Sequence, residues 1–234
     1  MIETIAFDGD DTLWHNETLF TVTQARFAEL LEPYGPVADL ADRLVATEER
    51  NLMVFGYGIK GFILSMIETA IEVTDGRVQA TEIQALIDAG KAMRDHPVEL
   101  LEGVRDVVEG LAGGPRRIMV ITKGDLFDQE SKLAGSGLAE LFDAVEIVSE
   151  KDEPTYRRIL HRYAIDAGSF LMVGNSLRSD VLPVVEVGGR AVHVPYEVTW
   201  ALEQVEPVTG GRPGVWEIET IRSLPALLAE LDAA

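Results

Sequence analysis

Asp8, Asp10 and Asp11 follow the apolar run Ile5-Ala6-Phe7 almost at once, and Thr12 comes directly after them. Carboxylates so close together repel one another unless a cation or hydrogen bonds offset the charge, and a buried strand leading to them makes that offset more important. A cluster of oxygens suits a hard divalent cation, and an ionised carboxylate is a nucleophile that needs no activating base. An acidic turn closing a strand would use the same residue types. Three more places repeat the arrangement of an apolar strand ending on polar groups. Residues 117–121 lead to Thr122, residues 145–148 precede Lys151, and residues 170–173 run into Gly174-Asn175-Ser176-Leu177-Arg178-Ser179-Asp180. The carboxyl ends of parallel strands converge at one edge of a sheet, so these four groups can share a site.

The spacing Asp8-x-Asp10-x-Thr12 after a strand resembles the first motif of the haloacid dehalogenase-like (HAD) hydrolase superfamily. Thr122, Lys151 and the Gly174-Asn175 pair followed by Asp180 are similar to its second, third and fourth motifs, in the right order. The resemblance implies that Asp8 attacks phosphorus to form an aspartyl-phosphate, and that Asp10 is the acid and base for leaving group and water. It implies that Thr122 and Lys151 hold the phosphoryl oxygens, and that Mg2+ is held by Asp8, Asp10 through its backbone carbonyl, Asn175 and Asp180. Asn175 stands where the family most often has an aspartate. Its amide oxygen can still face a metal but brings no charge, so weaker magnesium binding is expected, with Asp180 restoring charge directly or from behind. Dehalogenases of the superfamily lack an acid at the second aspartate position, so Asp10 points to a phosphatase for a small phosphomonoester. A phosphomutase uses the same two aspartates and is the alternative enzyme reading; a low-turnover binding or regulatory protein on the same fold is the other alternative.

The elements that must carry these residues alternate in the second half of the chain. Strands are expected at 117–121, 145–148, 170–173 and 190–194, with helices at 126–135, 155–163 and around 180–187, which predicts a doubly wound, Rossmann-like α/β core with a parallel sheet. Residues 1–14 and 98–234 are assigned to that core. Residues 15–97 are expected to form an inserted α-helical cap, because apolar residues recur there at helical spacing, as in Phe20, Phe27, Leu30 and Leu31 and again in Leu64, Ile67 and Ile71. Pro36, Gly56-Tyr57-Gly58 and Thr74-Asp75-Gly76 break this region into four expected helices. The insert is similar to the small cap of the superfamily's C1 type. Candidate substrate contacts are Asn16, which also suits helix capping, Phe55, Tyr57 and Lys60, which suit ordinary cap packing with a surface lysine better, and Lys123, which also suits a solvated turn. Trp14 and His15 add apolar surface and a hydrogen-bonding ring near Asp8.

Composition narrows the partners. The 234 residues include 40 acids against 20 bases, a formal charge of −20 that repels nucleic acid at long range. A small phosphorylated metabolite would feel the same repulsion, so local positive charge must be supplied at the site. There is no cysteine, hence neither a disulfide nor a thiolate metal site. No signal-like or membrane-spanning stretch is evident, and a cytoplasmic monomer or homodimer is expected.

Overall fold

The computed structural model describes residues 1–35, 39–205 and 212–233; Pro36 lies outside the described residues. Six strands form one sheet: β1 (Thr4–Phe7), β2 (Arg117–Lys123), β3 (Ala144–Val148), β4 (Phe170–Gly174), β5 (Arg190–His193) and β6 (Val215–Glu217). Their order is β3-β2-β1-β4-β5-β6, and every neighbouring pair is parallel. Strand order reverses at β1, so the crevice beyond the carboxyl ends of β1 and β4 is the switch point where sheets of this kind take up ligands. Phe7 is in register with Val173, and the Asp8 amide donates to the Val173 carbonyl at 2.9 Å. Asp8 and Asn175 therefore leave the sheet from adjacent strand ends.

Contacts divide the chain into two compact units, residues 17–97 and residues 1–16 with 98–234. The boundary expected after residue 14 falls after Asn16. Residues 17–97 carry α1 (Glu17–Leu31), α2 (Leu40–Phe55), α3 (Ile59–Val73) and α4 (Ala80–Asp95). They pack on a core of their own, with Phe27, Leu44, Phe62, Met66, Leu86 and Met93 buried together. Gln79 and Glu82 start α4 with a reciprocal capping box, in which the Gln79 amide donates to Glu82 Oε2 at 2.7 Å.

The other unit wraps the sheet with α5 (Val104–Leu111), α6 (Leu126–Ser136), α7 (Glu153–Arg162), α8 (Leu182–Glu186) and α9 (Leu224–Ala233). Alternation along each strand sorts its side chains between two faces. Ile5, Phe7, Ile118, Val120, Leu171 and Val173 pack with Val104, Leu133 and Leu224 of α5, α6 and α9. Ala6, Met119, Ile121, Phe170 and Met172 face Tyr156, Ile159 and Val184 of α7 and α8. The central strands β1, β2 and β4 are buried on both sides, which is why they read as apolar runs, whereas β3 and β6 at the sheet edges are only partly buried. Where the chain leaves and re-enters this unit, its two segments pair: the Leu101 amide donates to the Leu13 carbonyl and the His15 amide to the Glu99 carbonyl, each at 3.0 Å, around an antiparallel Trp14–Leu100 bridge.

Two local expectations need correction. The helix expected around 180–187 begins as a widened π-type turn, Leu177–Val181, and becomes α-helical only in α8. The helix expected at 155–163 begins at Glu153, just after Lys151, and ends at Arg162, because Asp152 is the cap, accepting from the Thr155 amide at 2.9 Å, with Pro154 in the first turn. None of the described helices is long and apolar enough to cross a membrane.

Candidate active site

A tight turn after β1 separates the three clustered acids. The Gly9 carbonyl accepts from the Thr12 and Leu13 amides at 3.3 and 2.8 Å, and Asp11 takes a left-handed backbone conformation, φ +60°. The Asp11 carboxylate accepts from the Asn16 amide at 2.9 Å and so closes the turn. Asp8 and Asp10 diverge into two different networks.

Asp8 is buried beside Lys151, which comes from the loop between β3 and α7 and ion-pairs with Asp8 Oδ1. The same ammonium lies 2.7 Å from Asp180 Oδ1, while Asp180 Oδ2 accepts from the Ser176 amide at 3.0 Å. Burial pushes the Asp8 carboxyl from its usual 3.8 to about 7, and Asp180 adds to the rise while Lys151 only partly offsets it. Burial by itself would lower the Lys151 pKa, but Asp180 and Asp8 outweigh it and the ammonium is held charged. Thr12 Oγ1 lies 3.4 Å from Asp8 Oδ2 and 3.3 Å from Asn175 Oδ1, and accepts from the Asn175 amide at 3.0 Å. One hydroxyl thus brackets an oxygen of Asp8 and the amide oxygen of Asn175. Gly174 permits this closeness, since a Cβ there would fall inside the Asp180 carboxyl group.

Asp10 is held by three donors. Trp14 Nε1 donates to Oδ1 at 2.7 Å, Gln129 Nε2 to Oδ2 at 2.8 Å, and Lys132 Nζ lies 3.1 Å from both oxygens. Gln129 also accepts from Thr122 Oγ1 at 3.0 Å, so one side chain of α6 joins Thr122, near the carboxyl end of β2, to Asp10. Lys132 is shared with Asp128 Oδ2 at 3.1 Å and with Asn16 Oδ1 at 2.8 Å. Burial works against its charge, yet Asp10 and Asp128 raise its pKa overall. α6 is aimed by its cap, Asp125, which accepts from the Asp128 amide at 3.2 Å.

The sequence matches the haloacid dehalogenase-like hydrolase family over residues 2–188. The chain belongs to the HAD-like hydrolase family. A HAD-like hydrolase from Xanthomonas campestris is 43% identical, with a TM-score of 0.88 over 99% of this chain and 92% of that one. A 2-haloacid dehalogenase from Pseudomonas syringae pv. Tomato DC3000 shares the fold at 22% identity, TM-score 0.65, covering 99% of this chain and 100% of that one. So does magnesium-bound YfnB from Bacillus subtilis at 16% identity, TM-score 0.67, covering 97% and 98%. No curated protein matches the chain.

The donor set of this hydrolase fits a magnesium ion. Among the described residues, Asp8, Asp10, Asp128, Asp180, Glu150 and Glu203 are ion-pair partners of Lys123, Lys132 and Lys151, an acid-rich edge that suits a hard divalent cation. Among the described residues no three acidic or histidine side chains converge as a metal cage. Magnesium does not need one, because it usually keeps several waters and takes one or two carboxylates. Asp8 and Asn175 offer oxygens on either side of Thr12, whereas both Asp180 oxygens are engaged by Lys151 and Ser176.

The remaining candidates are placed as follows. Asn16 spends its side-chain oxygen on Lys132. Lys123 points to Glu203, to Glu150 at 3.4 Å and to Ser179 at 3.1 Å. His15 Nδ1 lies 2.6 Å from Tyr196 Oη. Phe55, Tyr57 and Lys60 belong to the helical unit, at the turn between α2 and α3. Sequence reasoning missed Gln129, Lys132 and Glu203. The first two sit three residues apart on α6 and face one way, a helical pair that was visible. Glu203 lies in the connection after β5, where no motif marks it.

Proposed function

We propose that this chain is a magnesium-dependent phosphatase that cleaves a small phosphomonoester through an aspartyl-phosphate on Asp8. Asp10 is the observation that carries the reading. An alkoxide leaving group needs a proton and the water that follows must lose one; a halide leaves as a stable anion and needs no acid. A second carboxylate two residues from the nucleophile, gripped by Trp14, Gln129 and Lys132, has work to do only in the first case. In the first step an Asp8 oxygen attacks phosphorus, the P–O bond to the alcohol breaks, and Asp10 passes its proton to the departing oxygen. In the second, water attacks the same phosphorus, gives its proton to Asp10, and releases inorganic phosphate and free Asp8. Lys151 offsets charge on Asp8 and on the phosphoryl oxygens, and Asp180 keeps Lys151 in place. When bound, magnesium would supply further positive charge to the phosphoryl group, held by Asp8, the Asp10 carbonyl and Asn175.

The test is hydrolysis of 4-nitrophenyl phosphate and of a panel of sugar and carboxylic-acid phosphates by wild type and Asp8→Asn, with magnesium and with chelator. Halide release from 2-chloropropionate is measured in parallel. Phosphate release that needs both Asp8 and magnesium supports the phosphatase; halide release without metal would replace it with a dehalogenase.

A further inference from the structure

Beyond residue 188, where the family match ends, the connection between β5 and β6 returns to the site. Glu203 is its point of attachment. Glu203 Oε2 accepts from Ser176 Oγ at 2.6 Å and from Ser179 Oγ at 2.7 Å, and Oε1 ion-pairs with Lys123. One residue away, the Leu202 carbonyl accepts from Arg178. Ser176, Arg178 and Ser179 belong to the turn that begins after Asn175 and ends at Asp180. That turn is tied from within as well: the Ser176 hydroxyl accepts from the Ser179 amide at 3.0 Å, and the Ser176 amide donates to Asp180 at 3.0 Å.

We propose that Glu203 is a positioning residue for the magnesium-facing turn. It clamps Ser176 and Ser179 from outside so that Asn175 and Asp180 keep their places beside Asp8. The inference rests on the reading of Asn175 as an oxygen ligand. The physical case is one of reach and charge. The π-type turn is wider than an α-helical one, and the Asp180 amide donates to the Ser176 carbonyl at 2.8 Å within it; the ties from Glu203 are added to that backbone bond from outside the turn. A carboxylate accepting two hydroxyls on one oxygen and an ammonium on the other is held at both oxygens, and its bonds are of the stronger, charge-assisted kind. Groups that orient metal ligands from behind commonly govern affinity as much as geometry does. Because Asn175 brings no charge of its own, correct placement of its single amide oxygen counts for more here than it would for a carboxylate.

The test reads the turn and the metal separately, on the full chain. Amide hydrogen exchange at residues 175–181 is measured without magnesium in wild type, Glu203→Gln and Glu203→Ala. Magnesium affinity is then measured by calorimetry on the same three proteins. Faster exchange in that turn, with magnesium binding about tenfold weaker in Glu203→Ala and a smaller loss in Glu203→Gln, which keeps an acceptor for the serines, is the expected result. Unchanged exchange overturns the proposal whatever the metal does. Faster exchange with wild-type affinity also overturns it, since the clamp would then serve the fold alone. If wild type itself binds no magnesium, the metal reading and this role fall together, and the wild-type titration identifies that case. Should Glu203→Ala fail to fold, Glu203→Gln decides on the same two measurements.

Discussion

Lys151 lies 2.7 Å from Asp180 with the same ammonium that pairs with Asp8. One cation therefore serves two buried carboxylates, and removing it leaves both uncompensated. Breaking a buried pair in this way costs about 3–5 kcal/mol. Lys151→Met is expected to lower the melting temperature sharply and to reduce turnover by at least about a hundredfold. Lys151→Met with Asp180→Asn strands one carboxylate fewer, so it should regain much of the stability and none of the turnover. Thermal melts and steady-state kinetics on the two proteins check both halves.

The Asp8 carboxyl, raised from 3.8 to about 7, makes the metal-free protein's stability depend on pH. A raised folded-state pKa favours the protonated form, so its benefit is complete below 3.8 and is lost as pH rises to about 7. Asp8→Asn mimics the neutral group at every pH. In chelator it should stabilise the protein relative to wild type above pH 7, and the difference should shrink steadily as pH falls towards 4. Melting curves from pH 4 to 8 give the answer; an increment that grows on acidification would contradict it.

Leaving-group chemistry separates the duties of Asp10. 4-Nitrophenolate departs without a proton, whereas an alkoxide does not. Asp10→Asn should reduce turnover of alkyl phosphates by about 10²–10⁴-fold, and should reduce release of nitrophenolate in a single-turnover burst far less. Gln129→Ala, which frees Asp10 and Thr122 from each other, should lower kcat with little change in KM.

Gly174 has no room for a side chain because the Asp180 carboxyl occupies the space where its Cβ would lie. Gly174→Ala is expected to destabilise by about 1–3 kcal/mol, through displacement of Asp180 rather than through backbone strain. Chemical denaturation measures the loss.

The parallel core was legible because its central strands are buried on both faces, so that 118–121 and 170–173 stand out as unbroken apolar runs. The helical insert was legible for the opposite reason, the spacing of Phe20, Phe27 and Leu31. The elements that escaped are those with weak periodic signals: α5 is eight residues long, β6 only three, and α9 follows an edge strand. At the site, Asp8, Asp10, Thr122, Lys151 and Asn175 announced themselves by standing at strand ends. Glu203 could not, since its partners Lys123, Ser176 and Ser179 come from other loops and only the folded chain brings them together. The same holds for Asp11, whose place among three acids suggested chemistry but whose carboxylate closes a turn.

The short ribbon in which Leu13 pairs with Leu101 and His15 with Glu99 makes the insert's two ends immediate neighbours. In topological terms the helical unit is the loop of a hairpin. Lengthening or replacing such a loop costs little closure entropy, and the ribbon's hydrogen bonds are made whatever it contains. This joint is therefore a natural cassette port: a different insert spliced between Asn16 and Val98 would start and end at the same ribbon, beside the same sheet.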